Sequence, residues 1–381
     1  MTKSSGVCMT LRMKVTALIM GIIFLTSAAT AYVIYQAQAT LIETSKNREL
    51  NIVALLVQST LQDRAEEALA KSSLIGNIPA VRSAFRSGDR DALMEQLHPT
   101  VTFQRENYGL TQASFWNPPA SSFLVLFDPS RAVGEDVSHY REILTTASRR
   151  QEAQKGIEIG RSGPALRGVF PVKDEQGFIG IIDIATDFSA LAAEVKQSTG
   201  YEVGIFIHNE LMEKTAVNVA RPESQYIIGG LRSIQSTNWK DIKAVASPEL
   251  LSYTADIHFA TVATPAGSYG WVSVPLADFA GRPIGAVVAT RSFNQFQRQA
   301  NQAVALALFV AVLQAVLLTA TILVLVRVMI LRPVRHVQTC LHSLVKDGDT
   351  AVDSTLTERG DEIGQIARSL QELRDKMVSE K

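Results

Sequence analysis

Two stretches without a charged residue constrain this chain more than anything else in it. The first lies between Lys14 and Glu43, and residues 15–35 (VTALIMGIIFLTSAATAYVIY) have about the length that crosses a hydrocarbon core of roughly 30 Å as a helix. The second separates Arg298 from Arg327, with residues 303–326 dense in Leu, Val and Ala, and sets a second span at 302–328. Lys3, Arg12 and Lys14 precede the first run; Arg327, Arg332, Arg335 and His336 follow the second. This bias predicts that both flanks, residues 1–14 and 329–381, stay in the cytoplasm, leaving residues of about 36–300 outside. A cleaved signal peptide is the rival reading of the N-terminus, because Ala37-Gln38-Ala39 resembles a cleavage site. Against it, the apolar segment exceeds the usual core of about 7–15 residues.

No glycine or proline occurs over residues 22–75, a run of roughly 80 Å if wholly helical. Residues 36–75 therefore read as a stalk helix, with Leu41, Ile52, Leu55, Leu56, Leu61 and Leu69 set among polar residues as an amphipathic face for a packing partner. A helix broken near the membrane is the alternative. Residues 293–331 are equally free of glycine and proline, which would couple the outer segment mechanically to the second span.

Composition narrows the partners. With 46% hydrophobic and 19% charged residues the chain is too apolar for disorder. Lysine plus arginine and aspartate plus glutamate each number 37, so no net field would hold the molecule on nucleic acid, and no nucleic-acid partner is expected. Cys8 and Cys340 leave the long middle without a cysteine for a disulfide or metal site.

The outer segment repeats itself weakly. At an offset of 104 residues, Pro171, Asp174, Gly177, Ala185 and Thr186 recur as Pro275, Asp278, Gly281, Ala289 and Thr290. Each set reads as a strand ending near Pro, a polar turn closed by Gly, then a short apolar strand, GFIGIIDIAT or GRPIGAVVAT. SSFLVLFD, GIEIG and ALRGVFPV are further strands, residues 89–97 and 138–147 are helical, and YEVGIFIHN opens the second copy. The fold class is α+β: one unit of about 100 residues used twice, at 76–198 and 199–298.

At this point a family resemblance appears. A membrane helix, a helical stalk, two tandem PAS-like modules and a second membrane helix resemble the double Cache receptors of bacteria. The stretches PSRAVGEDVSHYREIL and KGIEIGRSGPALRGVFPVKDEQGFIGIIDIATDF carry the likeness, which spans roughly residues 40–298. It implies detection of a small ligand outside the inner membrane, usually in the membrane-distal module. The Arg-x-Trp-Tyr pattern of amino-acid-binding members is absent.

The tail resembles a second family. Ile330-Leu331-Arg332-Pro333-Val334 and Asp361-Glu362-Ile363-Gly364 resemble the starts of the two helices of a HAMP domain. Spacing supports this independently: Val334, Val337, Leu341 and Leu344 are spaced 3, 4, 3, and Ile363, Ile366, Leu370, Leu373 and Met377 are spaced 3, 4, 3, 4. The polar connector between them contains Gly348 and Gly360. Such a narrow seam is expected to close as a homodimeric four-helix bundle, a generic amphipathic hairpin being the alternative.

Catalysis finds no support. HExxH, G-x-S-x-G and Walker A patterns are absent, and the six histidines show no metal-ligand pair, so neither an enzyme nor a cofactor is expected. Few residues follow Met377, so any transmitter or kinase is expected on another chain. His336 and His342 read as solvated surface residues. Binding residues are easier to propose. Glu158, Arg167 and Asp183 stand where the second copy has Val262, Trp271 and Val287. Inside the module, such charges must pair with each other or with a ligand, because an unpaired buried charge costs several kcal/mol. Arg141 supplies a carboxylate-binding fork, Tyr140 and Trp116 an aromatic wall, and Phe170 completes the candidate set; Trp116 and Phe170 also read as core. Glu158 and Arg167 pointing to solvent, or forming one salt bridge, is the structural alternative. In the second copy Trp239, Tyr253, Tyr269 and Trp271 read as packing or as a second pocket. The expected function is a receptor for a small polar extracytoplasmic ligand, relaying through the HAMP-like bundle; the alternative is a membrane-anchored binding or adaptor protein dimerised by its tail.

Overall fold

The computed structural model describes residues 11–130, 133–252, 254–347 and 354–379. Lys3, Cys8, Tyr253 and Gly348 lie outside them, as do the side chains of Arg12, Lys14 and Met377. Packing divides the chain into one unit of residues 41–298 and another of residues 1–40 with 299–381.

Helix α1 (Leu11–Gly76) is unbroken over 66 residues, about 100 Å. In the 41–298 unit it buries Leu50, Val53, Ala54, Val57, Ala65 and Ala68, spaced for one helical face. Leu41, Ile52 and Leu55 are exposed, so the packed stripe runs beside the face expected from the sequence. Gly168 fixes the depth of contact, since a Cβ there would overlap the backbone of Ala68 and Leu69.

The first module follows as α2 (Pro79–Ser87), α3 (Arg90–Tyr108), β1 (Leu110–Asn117), β2 (Ser121–Val125), α4 (Glu142–Arg150), β3 (Gln154–Gly160), β4 (Gly163–Asp174), β5 (Gly177–Thr186) and α5 (Ser189–Thr199). Asp89 caps α3 through the Ala92 N–H at 2.9 Å. The five strands form an antiparallel sheet in the order β2-β1-β5-β4-β3. The second module contains β6 (Glu202–His208), α6 (Asn209–Thr215), β7 (Ile227–Ile228), β8 (Leu231–Ser236), α7 (Trp239–Val245), α8 (Pro248–Leu251), β9 (His258–Thr264), β10 (Gly267–Ala277) and β11 (Pro283–Ser292). Its order, β7-β8-β6-β11-β10-β9, reproduces the first sheet with one short edge strand added. The matched turn chemistry has a common cause: Asp174 accepts the Gln176 N–H at 2.9 Å, and Asp278 accepts the Ala280 N–H at 3.0 Å. One core joins α1, Ile157 and Ile159 of β3, Leu191 and Val195 of α5, and Val272, Val274 and Val287 of the second sheet.

In the other unit, α9 (Asn294–Leu325) leads through a π-helical stretch, Val326–Leu331, to α10 (Arg332–Asp347), α11 (Ser354–Thr357) and α12 (Glu362–Ser379). Two helices are long and apolar enough to cross a membrane, one containing residues 19–76 and one residues 294–346. Their apolar groups are exposed, Phe24 at 75% and Phe309 at 65%, which suits lipid rather than water. Helices α10 and α12 meet through buried Cys340, Leu344 and Leu370, with Val337 packed against them.

Candidate functional site

Strand register gathers the charged candidates. Ser114 faces Asp183, Trp116 faces Ile181, Val169 faces Asp183, and Glu158 faces Ala165, so Ser114, Trp116, Glu158, Arg167 and Asp183 project from one face of the first sheet. Helix α4 covers that face with Ile143, Leu144 and Ala147. Arg141, the residue before α4, has φ −107° and ψ 73°, a non-helical turn at the helix start.

Four buried side chains make a closed ion network. Arg141 Nε donates to Glu158 Oε2 at 2.5 Å, and Arg141 Nη2 donates to Asp183 Oδ2 at 2.7 Å. Arg167 Nη1 donates to the same Asp183 oxygen at 2.8 Å, while Glu158 Oε1 accepts the Ile143 N–H at 2.9 Å. Asp183 is 0% exposed and the two arginine side chains 3%. Two cations and two carboxylates leave no net charge, the condition under which buried ions are tolerated. Burial opposes the positive charge of Arg141, but the charges of Asp183 and Glu158 outweigh it and raise the guanidinium above its ordinary value. Arg167 is lowered, by burial first and by the nearby Arg141 charge second.

Charge is balanced, but hydrogen bonding is not. Among the described residues, Asp183 Oδ1 and Arg167 Nε are buried without a hydrogen-bond partner. A donor and an acceptor left open in one network each carry a desolvation cost of about 1–3 kcal/mol. The aromatic wall is there too: the Arg141 Cζ sits 5.5 Å from the centre of the Trp116 ring, whose Nε1 donates to Ser114 Oγ at 2.9 Å. Tyr140 is half-buried against the same cluster, 5.8 Å from the Arg161 Cζ.

Phe170 is not part of this assembly. Paired with Ile182, it projects from the opposite face towards Gly76 of α1, because neighbours along a strand alternate and Val169 takes the α4 side. Ser114 and the Ile143 N–H join the network instead, and the sequence reading passed over both. Strand β1 was missed because it is covered on both faces and does not alternate between apolar and polar.

The second sheet replaces the network with apolar side chains, with one correction to the expected correspondence. Arg167 pairs with Ala185, but Trp271 pairs with Thr290, one residue beyond the 104-residue offset. The shift turns Val287 towards α1 with Val272 and Val274, and brings Val288 beside Trp271 under α7. The residues facing α7 in place of Glu158, Arg167 and Asp183 are therefore Val262, Trp271 and Val288. Trp239 and Tyr269 pack in that same cluster.

Residues 44–296 match the double Cache family model described as the double sensory domain of two-component sensor kinases. The chain belongs to this family. No curated protein matches the sequence. Among solved structures, an extracellular ligand-binding receptor from Desulfohalobium retbaense is 16% identical at a TM-score of 0.36, covering 62% of this chain. The match covers 39% of that receptor, so the chain spans about two fifths of its length. The sensory domain of the Campylobacter jejuni chemoreceptor Tlp3 is 10% identical, with 71% of this chain and 99% of that one covered and a TM-score of 0.40. The sensor domain of the Vibrio cholerae histidine kinase DctB is 13% identical, with 68% and 98% covered and a TM-score of 0.38. In this double Cache chain the buried ion network belongs to the first module, and the second has an apolar interior at the matching positions.

Proposed function

We propose that this chain is a two-pass receptor of the bacterial inner membrane whose first Cache module binds a small polar ligand outside the cell membrane. Both flanks of the two spans are cytoplasmic in this reading. The observation that carries it is the charge-balanced but hydrogen-bond-incomplete network of Arg141, Glu158, Arg167 and Asp183. A ligand with a donor and an acceptor satisfies Asp183 Oδ1 and Arg167 Nε and gains differential affinity for the conformation that admits it. The second module supports the assignment, because the same architecture holds without these charges.

The relay runs through the root of α9. Only Phe293 separates β11 from α9; it is buried, and its N–H donates to the Ser268 carbonyl at 2.7 Å. The Phe293 ring occupies space that a Cβ at Gly270 would fill. Arg291 Nη1 reaches Glu49 of α1 at 3.2 Å, tying the end of β11, just before α9, to the first helix. Beyond the membrane, a HAMP-like homodimer reads the displacement. Val334, Leu341, Ile366 and Leu373 are exposed in the single chain, and Val334–Leu341 and Ile366–Leu373 are one heptad apart, the seam that a second copy would cover.

Calorimetric titration of the full chain in lipid nanodiscs against a metabolite panel tests the ligand assignment. A binder should be found, and Asp183→Asn and Arg141→Met should each weaken it by about tenfold or more. Unchanged affinity in both folded variants would reject the first module's network as the site.

A further inference from the structure

The junction of the two Cache modules holds a cavity of about 330 Å³, within the range of small-molecule sites. The first module contributes the β3–β4 turn and the start of α5, including Asp187 and Ser189; the second contributes Met212 of α6 and residues Arg232, Ser233 and Gln235 of β8. Arg232 decides its chemistry. The side chain belongs to a residue only 8% exposed, and among the described residues its one acceptor is the Ala220 carbonyl, 2.7 Å from Nη2. Among the described residues it meets no carboxylate, whereas the buried Arg141 and Arg167 of the first module both do. The carboxylate in the cavity wall, Asp187, bonds within that wall rather than to Arg232, with Oδ1 accepting both the N–H and the hydroxyl of Ser189 at 2.9 and 2.5 Å.

A buried guanidinium with open donors, on the same face of β8 as the amide of Gln235, is a recognition site for a carboxylate bearing a second polar group. We propose that this inter-module cavity is a second binding site, distinct from the Arg141–Asp183 network, for a small hydroxycarboxylate. Arg232 holds the carboxylate, Gln235 the polar end, and Met212 the carbon chain. Because its walls come from both modules, occupancy stabilises their mutual arrangement and makes the site an adjuster of the receptor rather than a duplicate of its sensor.

Titration of the full chain in nanodiscs with L-malate, L-lactate, neutral lactamide and inorganic phosphate tests this. Saturable binding of malate or lactate is expected, with none for lactamide. Arg232→Gln should weaken it by about tenfold or more. Gln235→Leu, which removes the cavity amide at a half-buried strand position, should do the same and guards against misfolding of the arginine variant. No saturable carboxylate binding, survival of binding in both variants, or a preference for phosphate would each overturn the proposal. These outcomes are read at Arg232 and Gln235, so they leave the first-module reading, tested at Asp183 and Arg141, to stand or fall separately.

Discussion

At Asp183 a single carboxylate oxygen serves two guanidinium groups while the other meets no donor among the described residues. Removing one partner should therefore be worse than removing all of them. Arg141→Met leaves two carboxylates facing one cation, and a loss of about 3–5 kcal/mol is expected in denaturant unfolding. Combining Arg141→Leu, Glu158→Val, Arg167→Trp and Asp183→Val copies the apolar interior of the second module. It should restore much of that stability while abolishing ligand binding, measured on the same preparations. Asp183 was legible in the sequence because a charge inside IGIIDIAT has no solvent to face. Arg141 was legible as a cation, but its entry under α4 depends on a backbone turn that no local pattern encodes.

Among the elements, α1 and β4 meet backbone to backbone, where Gly168 lies against the helix. Gly168→Ala should cost about 1–3 kcal/mol by overpacking, seen as a lower unfolding midpoint, with no change in net charge to complicate it. The start of α12 offers a pH test. Arg359, by hydrogen bonding, and then the Gly364 N–H hold the Asp361 carboxyl down to about 2. The folded value lies below the unfolded one of about 3.9, so the cap is fully effective above that pH and is lost as pH falls through about 2. A carbon-detected NMR titration of Asp361 should show this midpoint, and Arg359→Gln should move it upward. Glycine-free length and heptad spacing made the long helices legible from sequence. The packed stripe of α1 was not: several faces of that helix carry apolar residues, and only the sheets' positions select Leu50, Val53 and Val57.

For the whole molecule, the sensory unit is two copies of one sheet order, charged inside once and apolar inside once. The repeat was visible through its turns, whose Asp side chains bind backbone N–H groups in both copies. The one-residue difference in register was invisible, because identities at Ala289 and Thr290 align by offset while the hairpin between β10 and β11 sets which face each residue takes. Protease treatment of intact spheroplasts should cut residues 41–298 and spare the tail; the opposite pattern would contradict the proposed topology. In native membranes, Leu373→Asp should abolish chemical cross-linking between copies, since a charge in the proposed seam has no partner there.

The joint between β11 and α9 is one residue long and pinned by Phe293. An extra alanine spliced in after Ser292 would twist every downstream helical position by about 100°, whereas four would bring them nearly back into phase. Receptor output plotted against insert length should then oscillate rather than decay, the behaviour of a crankshaft and not of a tether.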